Sequence, residues 1–433
     1  MTAEIAVLNR NAVALAADSA VTLQLPEGPK IYHANKLFTL SKYRPVGIMI
    51  YGAADFMGVP WDTIIKRYRA YLGTRGFRRV QDYAADFLSF VERRRSFFPE
   101  ERQRNSCHEL AEVWLHRLRT RLRKAVELAI KTSGPVSEQA VRKMFSELVN
   151  EDIAHLRRHK PLPRFSKLSV GSLLRKYRSV IQKAIKSTLQ NLVSAVPMAR
   201  LLEGCALAIL RDLYWYGESG IVIAGFGDEE FCPSLCCHTL DSIIGGRLRV
   251  LENREKRSRI GNVGVSASII PFAQSEMVSL FMNGIDDDYA DFVNSFTSQA
   301  FATGYPDTIS TALDKYLSKN DKDIVLQKIR DIGKELSSKL GSAIRQYAKF
   351  AHSDPIVEIV NHLPKEELAA MAEALVNLTS FKRHVTRQAE TVGGPIDVAV
   401  ISRGDGFIWI KRKHYFSQQL NPHFLANYFN KKS

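Results

Sequence analysis

The 433-residue sequence lacks any apolar run of the 18 or more residues that a membrane-spanning helix needs. Its opening, Met1-Thr2-Ala3-Glu4, has no basic segment leading into a long apolar core, so no secretory leader is expected and the cytoplasm is the expected compartment. A Walker A pattern is missing, as are a GxGxxG following a strand and an HExxH, so neither ATP hydrolysis nor a zincin-type metal site is expected. Cysteine is scarce, with 5 in all. Three of them, Cys232, Cys236 and Cys237, lie in Phe-Cys-Pro-Ser-Leu-Cys-Cys-His, which is not a paired CxxC zinc pattern and reads as small buried residues. No disulfide framework is suggested. The 11 histidines do not fall at metal-ligand spacing. The expectation is therefore no cofactor and no metal. Internal repeats and low-complexity segments are also lacking.

What is present is the composition of a globular chain, 45% hydrophobic and 24% charged, with a formal net charge of +16. The excess is concentrated. Residues 91–190 hold 23 Lys and Arg against 10 Asp and Glu. Such a block reads as a solvated helical surface, as a dock for an acidic protein or neighbouring subunit, or as a nucleic-acid surface. No zinc finger or RNP signature supports the last of these, and nucleic acid is not expected as a partner.

Strand patterns cluster at 4–8, 12–17, 20–23, 36–40 and 46–51, with a Pro-Glu-Gly-Pro loop at 26–29. Helical spacing is expected from 53 to about 72. Residues 80–214 are almost wholly helical in pattern. An amphipathic helix over 111–130 carries Trp114, Leu115, Leu118, Leu122, Val126 and Ile130, and Pro161 and Pro163 break the run. Strands return at 220–225, 234–240, 247–251 and 263–270. A second helical block runs from 273 to 349, with a further helix near 366–377. Strands at 396–402 and 406–411 close the chain. Gly245-Gly246 and Gly393-Gly394 read as turns. Strand groups separated by helical blocks suggest a layered α/β architecture.

Four residues near the amino end carry chemistry. Thr2 follows the initiator Met, and a small second residue permits Met removal, which leaves a hydroxyl and a free α-amine on one residue. The amine, with a reference pKa of about 7.7–8.0, can take the hydroxyl proton directly or through water. A nearby ammonium lowers that pKa and enlarges the neutral fraction. Lys36 is the candidate ammonium, and Asp18 is the carboxylate to orient it. Lys30 competes for the same role but sits in the Pro-flanked loop. Gly52 ends a strand before a helix, where backbone N–H groups can stabilise an oxyanion.

These residues stand in recognisable surroundings. Residues 2–22, ending Ala16-Ala17-Asp18-Ser19-Ala20-Val21-Thr22, resemble the opening of proteasome β subunits and their bacterial relatives. Lys36-Leu37-Phe38 resembles that family's strand bearing the catalytic lysine, and 47–54 resembles the next strand and helix start. Residues 220–227 resemble the middle hairpin, and 268–272 resemble the stretch before the third helix, with Ser268 at the supporting serine. Residues 393–407 resemble the closing strands. Two departures stand out. Met49 occupies the place of the oxyanion glycine. The supporting Asp and Ser are replaced by Ala389 and Val392, beside Glu390 and Thr391.

The resemblance implies an N-terminal-nucleophile (Ntn) hydrolase of α/β (α+β) class, a four-layer αββα sandwich with two large helical insertions. It divides the chain into 1–94 as the first part of the core, 95–215 as the basic helical insertion, 216–285 as the second part, 286–385 as a helical extension and 386–433 as the closing strands and tail. It implies a threonine-type peptidase with catalytic Thr2, Asp18, Lys36, Ser268 and Glu390, and with Met49, Gly52 and Thr22 at the oxyanion and substrate site. The partners expected are a peptide or protein substrate, further copies in a ring or smaller oligomer, and an acidic protein at the basic insertion. The alternatives are an Ntn amidase or acylase on a small substrate, a catalytically silent structural or regulatory proteasome-like subunit, and a nucleic-acid-associated factor.

Overall fold

The computed structural model describes residues 3–25, 28–212, 218–261, 264–386, 393–414, 416–417, 419–423 and 426. The protein is a mixed helix and strand structure with antiparallel sheets. It forms two compact units, each assembled from separate stretches of sequence.

The first unit comprises Met1–His33, Ile260–Val400 and Trp409–Tyr415. Its sheet runs in the order Ala267–Ala273, Ala3–Asn9, Ala12–Ala17, Asp397–Ser402 and Gly406–Lys411. Asn9 makes the first turn. Its Oδ1 accepts from the N–H groups of Asn11 and Ala12, and its Nδ2 donates to the carbonyls of Val360 and Leu363 at the end of helix Asp354–His362. An Asx turn and a helix C-terminus are thereby satisfied by one side chain. Helix Lys365–Val385 lays Leu368, Ala369, Ala372, Leu375 and Val376 against Ala3, Ile5, Val7, Ala12, Ala14 and Ala16. That helical stripe meets alternate strand residues, and the alanines of the second strand let the helix approach closely.

The second unit comprises Ala34–Arg259, Ile401–Ile408 and Phe416–Ser433. Its sheet runs Arg247–Glu252, Ser234–Ile244, Ser219–Gly225, Val46–Gly52, Leu37–Thr39, with Ser258–Arg259 paired to the second of these. Helices Trp61–Leu72 and Val80–Arg93 cover it through Trp61, Ile64, Tyr68, Tyr83 and Phe87. Glu230 caps the second helix, accepting from Val80 N–H at 2.9 Å while also holding Gly227 N–H and the Ser234 hydroxyl.

The basic block is four helices, Glu100–Ser133, Glu138–Arg158, Val170–Leu189 and Met198–Arg211, around Trp114, Phe145, Tyr177, Ile181 and Cys205. The Gly245-Gly246 turn, with φ of 62° and 71°, closes the hairpin Ser234–Ile244/Arg247–Glu252. Its two N–H groups donate to Tyr177 Oη and Gln103 Oε1, which tie the block to the sheet. Arg249 is buried, forks onto Asp241 and donates to the carbonyls of Ile209 and Asp212 at the end of helix Met198–Arg211.

Two local expectations are corrected. The helix expected from 53 begins at Trp61, because Met57 (φ 50°) and Gly58 (φ 74°) form a turn held by Gly58 N–H on Asp55 Oδ1 at 2.8 Å. The loop expected at 26–29 is shorter, since Gly28–His33 is a strand paired to Ala20–Leu25, with Pro29 opposite Gln24. A two-stranded ribbon tolerates a proline, which has no N–H to donate. Among the described residues no helix is long and apolar enough to cross a membrane.

Candidate active site

In the first unit the candidate chemistry gathers at Asp18. The strand Ala12–Ala17 delivers it beside the start of the first strand, where Glu4 pairs with Ala17 and Asp18 N–H donates to the Ala3 carbonyl at 3.1 Å. The carboxylate is 1% exposed. Its Oδ1 accepts from Ala3 N–H at 3.1 Å and its Oδ2 from Gly393 N–H at 3.0 Å.

The chain around Gly393 closes over this point. Its carbonyl accepts from Ala20 N–H at 3.1 Å. Gly394 has φ of 77°, and a β-carbon there would lie 2.5 Å from His33 and 2.7 Å from Ser19 Oγ. Ser19 Oγ is itself 3.2 Å from His33 Nδ1. Gly394 is thus required both for its backbone conformation and for space. Sequence reading missed Ser19, His33 and the docking role of the two glycines. The only signal was the Gly-Gly pair itself.

Ser268 is not brought to this point. It lies in strand Ala267–Ala273 opposite Leu8, whereas Ala273 faces Ala3. Five residues of strand separate the two places, about 17 Å. Ala273, with φ of 58°, is a non-glycine residue in the left-handed region at the end nearer Ala3. It is followed by buried Gln274, whose Oε1 accepts from buried Arg383 at 3.1 Å. Arg383 also pairs with Glu276 at 2.8 Å. Thr22 is in strand Ala20–Leu25, opposite Ile31. Thr2 and Glu390, with Ala389, Thr391 and Val392, lie outside the described residues.

In the second unit Lys36 precedes the edge strand Leu37–Thr39, and Met49 and Gly52 lie on the neighbouring strand Val46–Gly52. Lys36 is 5% exposed, and its carbonyl accepts from Ile50 N–H at 2.8 Å. Leu37 pairs with Met49, and Met49 also pairs with Val222 on the other side. Backbone groups alternate sides along a strand. Ile50 N–H faces the Lys36 side, and Ala53 N–H donates to the Glu218 carbonyl on the other. Met49 N–H therefore points into the ladder with Ser219–Gly225, which removes it as an oxyanion donor. Gly52 shares the edge of Ile50. It ends the strand exposed, with φ of 85°, and a β-carbon there would lie 2.3 Å from the Glu218 carbonyl.

No family model matches the chain, and no curated protein matches it. Among solved structures it is similar to an Anbu mutant from Hyphomicrobium sp. strain MC1, with 10% identity, 99% of this chain and 98% of that chain covered, and a TM-score of 0.26. A TM-score that low does not define a shared fold.

Proposed function

We propose that the chain is a threonine-type Ntn hydrolase acting on amides, and most specifically a peptidase, with the αββα sandwich that its sequence resemblance implies. The observation that supports this reading best is the Asp18 carboxylate. It is buried, and it is fixed by Ala3 N–H, immediately after Thr2 in sequence, and by Gly393 N–H. A buried carboxylate is costly unless it is well partnered, and its placement at the start of the chain suits a role at the amino terminus.

The chemistry runs as follows. Once Met1 is removed, the Thr2 α-amine takes the proton from Thr2 Oγ, and Oγ attacks the substrate carbonyl. An O–C bond forms and the carbonyl becomes an oxyanion, which backbone N–H donors stabilise, the role the sequence resemblance assigns near Gly52. Collapse breaks the C–N bond, and the ammonium returns its proton to the leaving amine. Water, deprotonated by the same α-amine, then hydrolyses the ester and regenerates Thr2. A lysine's charge keeps such an α-amine neutral and a carboxylate orients that lysine, and the sequence resemblance assigns these roles to Lys36 and Asp18. Ser268 has no part in this scheme.

Mass spectrometry of the purified protein tests the reading. Loss of Met1, covalent labelling of Thr2 by a threonine-directed electrophile, and turnover of fluorogenic peptides are expected. Thr2→Ala is expected to abolish labelling and turnover with the fold intact. Retained turnover in that variant overturns the mechanism, an uncleaved Met1 makes the chain a silent subunit, and turnover confined to small acyl amides assigns an acylase.

A further inference from the structure

The helical extension of the first unit exposes apolar side chains that no other described residue covers. Helices Asp287–Gln299 and Tyr305–Leu313, joined through 300–304, run out, and helix Lys319–Ala348 runs back. The two arms touch through small residues. A β-carbon on Gly333 would lie 2.1 Å from the Phe301 carbonyl, and one on Gly341 would lie 2.8 Å from Asn294. Asp307 pairs with Arg330 at 3.2 Å across the same seam. These contacts define a closely packed antiparallel hairpin.

Little of its apolar content is used there. The outgoing helix 287–299 buries no residue, and Lys319–Ala348 buries only Leu326, Gly333, Gly341 and Ala348. Ile332 (57% exposed), Leu336 (50%), Leu340 (38%) and Tyr347 (67%) repeat at four-, four- and seven-residue steps, which is one helix face. On the other arm Tyr289, Phe292 and Phe296 repeat at three and four, with Phe292 and Phe296 stacked at 6.1 Å. With Tyr305, these half-exposed side chains offer on the order of 800 Å² per copy, the area that one partner contributes to a stable dimer.

Charge identifies the partner. Residues 260–314 contain no Lys or Arg, so the outgoing arm carries Asp287, Asp288, Asp291 and Asp307 with no cation of its own, Asp307 being paired across the seam to Arg330. The returning helix carries 7 Lys and Arg against 4 Asp and Glu. Asp288 and Asp291 have no ion-pair partner among the described residues, nor has Lys328. Lys339 pairs only with exposed Glu335, four residues back on its own helix. A hairpin with one acidic and one basic arm is complementary to itself under a two-fold axis, where each arm meets the opposite arm of the other copy. An anionic lipid surface would meet the acidic arm with repulsion.

We infer that this hairpin is a homodimerisation element, and that two copies pair hairpin to hairpin with the apolar faces inside and the acidic arm of each against the basic arm of the other. This assignment does not depend on the hydrolase reading. Analytical ultracentrifugation of the full chain tests it at about 100 µM, where a micromolar dimer is fully formed. The wild type is expected to associate, and Ile332→Glu with Leu336→Glu is expected to weaken association at least 100-fold with unchanged helix content by circular dichroism. Charge reversal supplies the second test. Asp288→Lys with Asp291→Lys, and separately Lys328→Glu with Lys339→Glu, are each expected to weaken self-association, and mixing the two variants is expected to restore it. A monomeric wild type, an assembly indifferent to the apolar substitutions, no rescue on mixing, or binding to anionic vesicles in place of self-association each overturns the inference.

Discussion

Asp18 and Gly393 meet across 375 residues of sequence, where the Gly393 N–H donates to Asp18 Oδ2 at 3.0 Å. One carboxylate thus ties the start of the first strand to the segment that enters the closing strand of the same sheet.

The first prediction concerns that tie. Asp18→Ala removes the acceptors of the buried Ala3 N–H and the part-buried Gly393 N–H, at up to about 1–3 kcal/mol for the buried one and less for the other. Asp18→Asn keeps one carbonyl oxygen but turns an NH₂ toward a backbone donor, so it recovers less than half of the loss. Urea unfolding followed by circular dichroism is expected to rank wild type above Asn and Asn above Ala. If Asn unfolds at the wild-type midpoint, the negative charge has no structural role, and a loss of hydrolysis in that variant would then isolate a chemical one.

The parts of this fold that were legible in the sequence are those that local pattern decides. Short apolar runs marked strands at 4–8 and 12–17, observed as Ala3–Asn9 and Ala12–Ala17, and a charged residue ending an apolar strand marked Asp18. Helical spacing marked residues 111–130, although the helix extends over Glu100–Ser133. Tertiary demands were not legible. Gly393-Gly394 read as a turn, but what requires Gly394 is the presence of His33 and Ser19 beside it. Arg249 carries no sign of burial, because its partners Asp241, Ile209 and Asp212 lie on two other elements. Ser268 looked well placed by its neighbours in sequence, and only the register opposite Leu8 puts it far from Ala3.

A second prediction rests on packing within the helical block. Gly204 lies on helix Met198–Arg211 against the Trp114 ring, and a β-carbon there would lie 2.2 Å from the ring edge. Trp114 cannot retreat, since it is 2% exposed and its Nε1–H donates to Asp152 at 2.6 Å, with Arg121 on the other carboxylate oxygen at 2.7 Å. On an exposed helix Gly→Ala gains up to about 1 kcal/mol. Here overpacking reverses the sign, and Gly204→Ala is expected to destabilise by roughly 1–3 kcal/mol. Thermal unfolding with Trp fluorescence measures it, and a raised melting temperature would show that the ring has room to move.

The third prediction is a pH dependence carried by His238 in strand Ser234–Ile244. Burial holds its imidazole below the ordinary value, Arg164 acts in the same direction, and Glu252, opposite it in register, opposes them. The Nδ1 atom has no hydrogen-bond partner among the described residues. The folded protein therefore takes up this proton at lower pH than the unfolded chain, whose histidine titrates near about 6.5. Between the two values the unfolded state binds more protons, so stability rises with pH in that window and falls on acidification below about pH 6.5. The loss approaches about 1.4 kcal/mol for each unit of depression. His238→Gln removes the titrating group at similar size, so its urea midpoint is expected to fall less than that of the wild type between pH 7.5 and 5.5. Equal losses in the two proteins would assign the acid sensitivity to other groups.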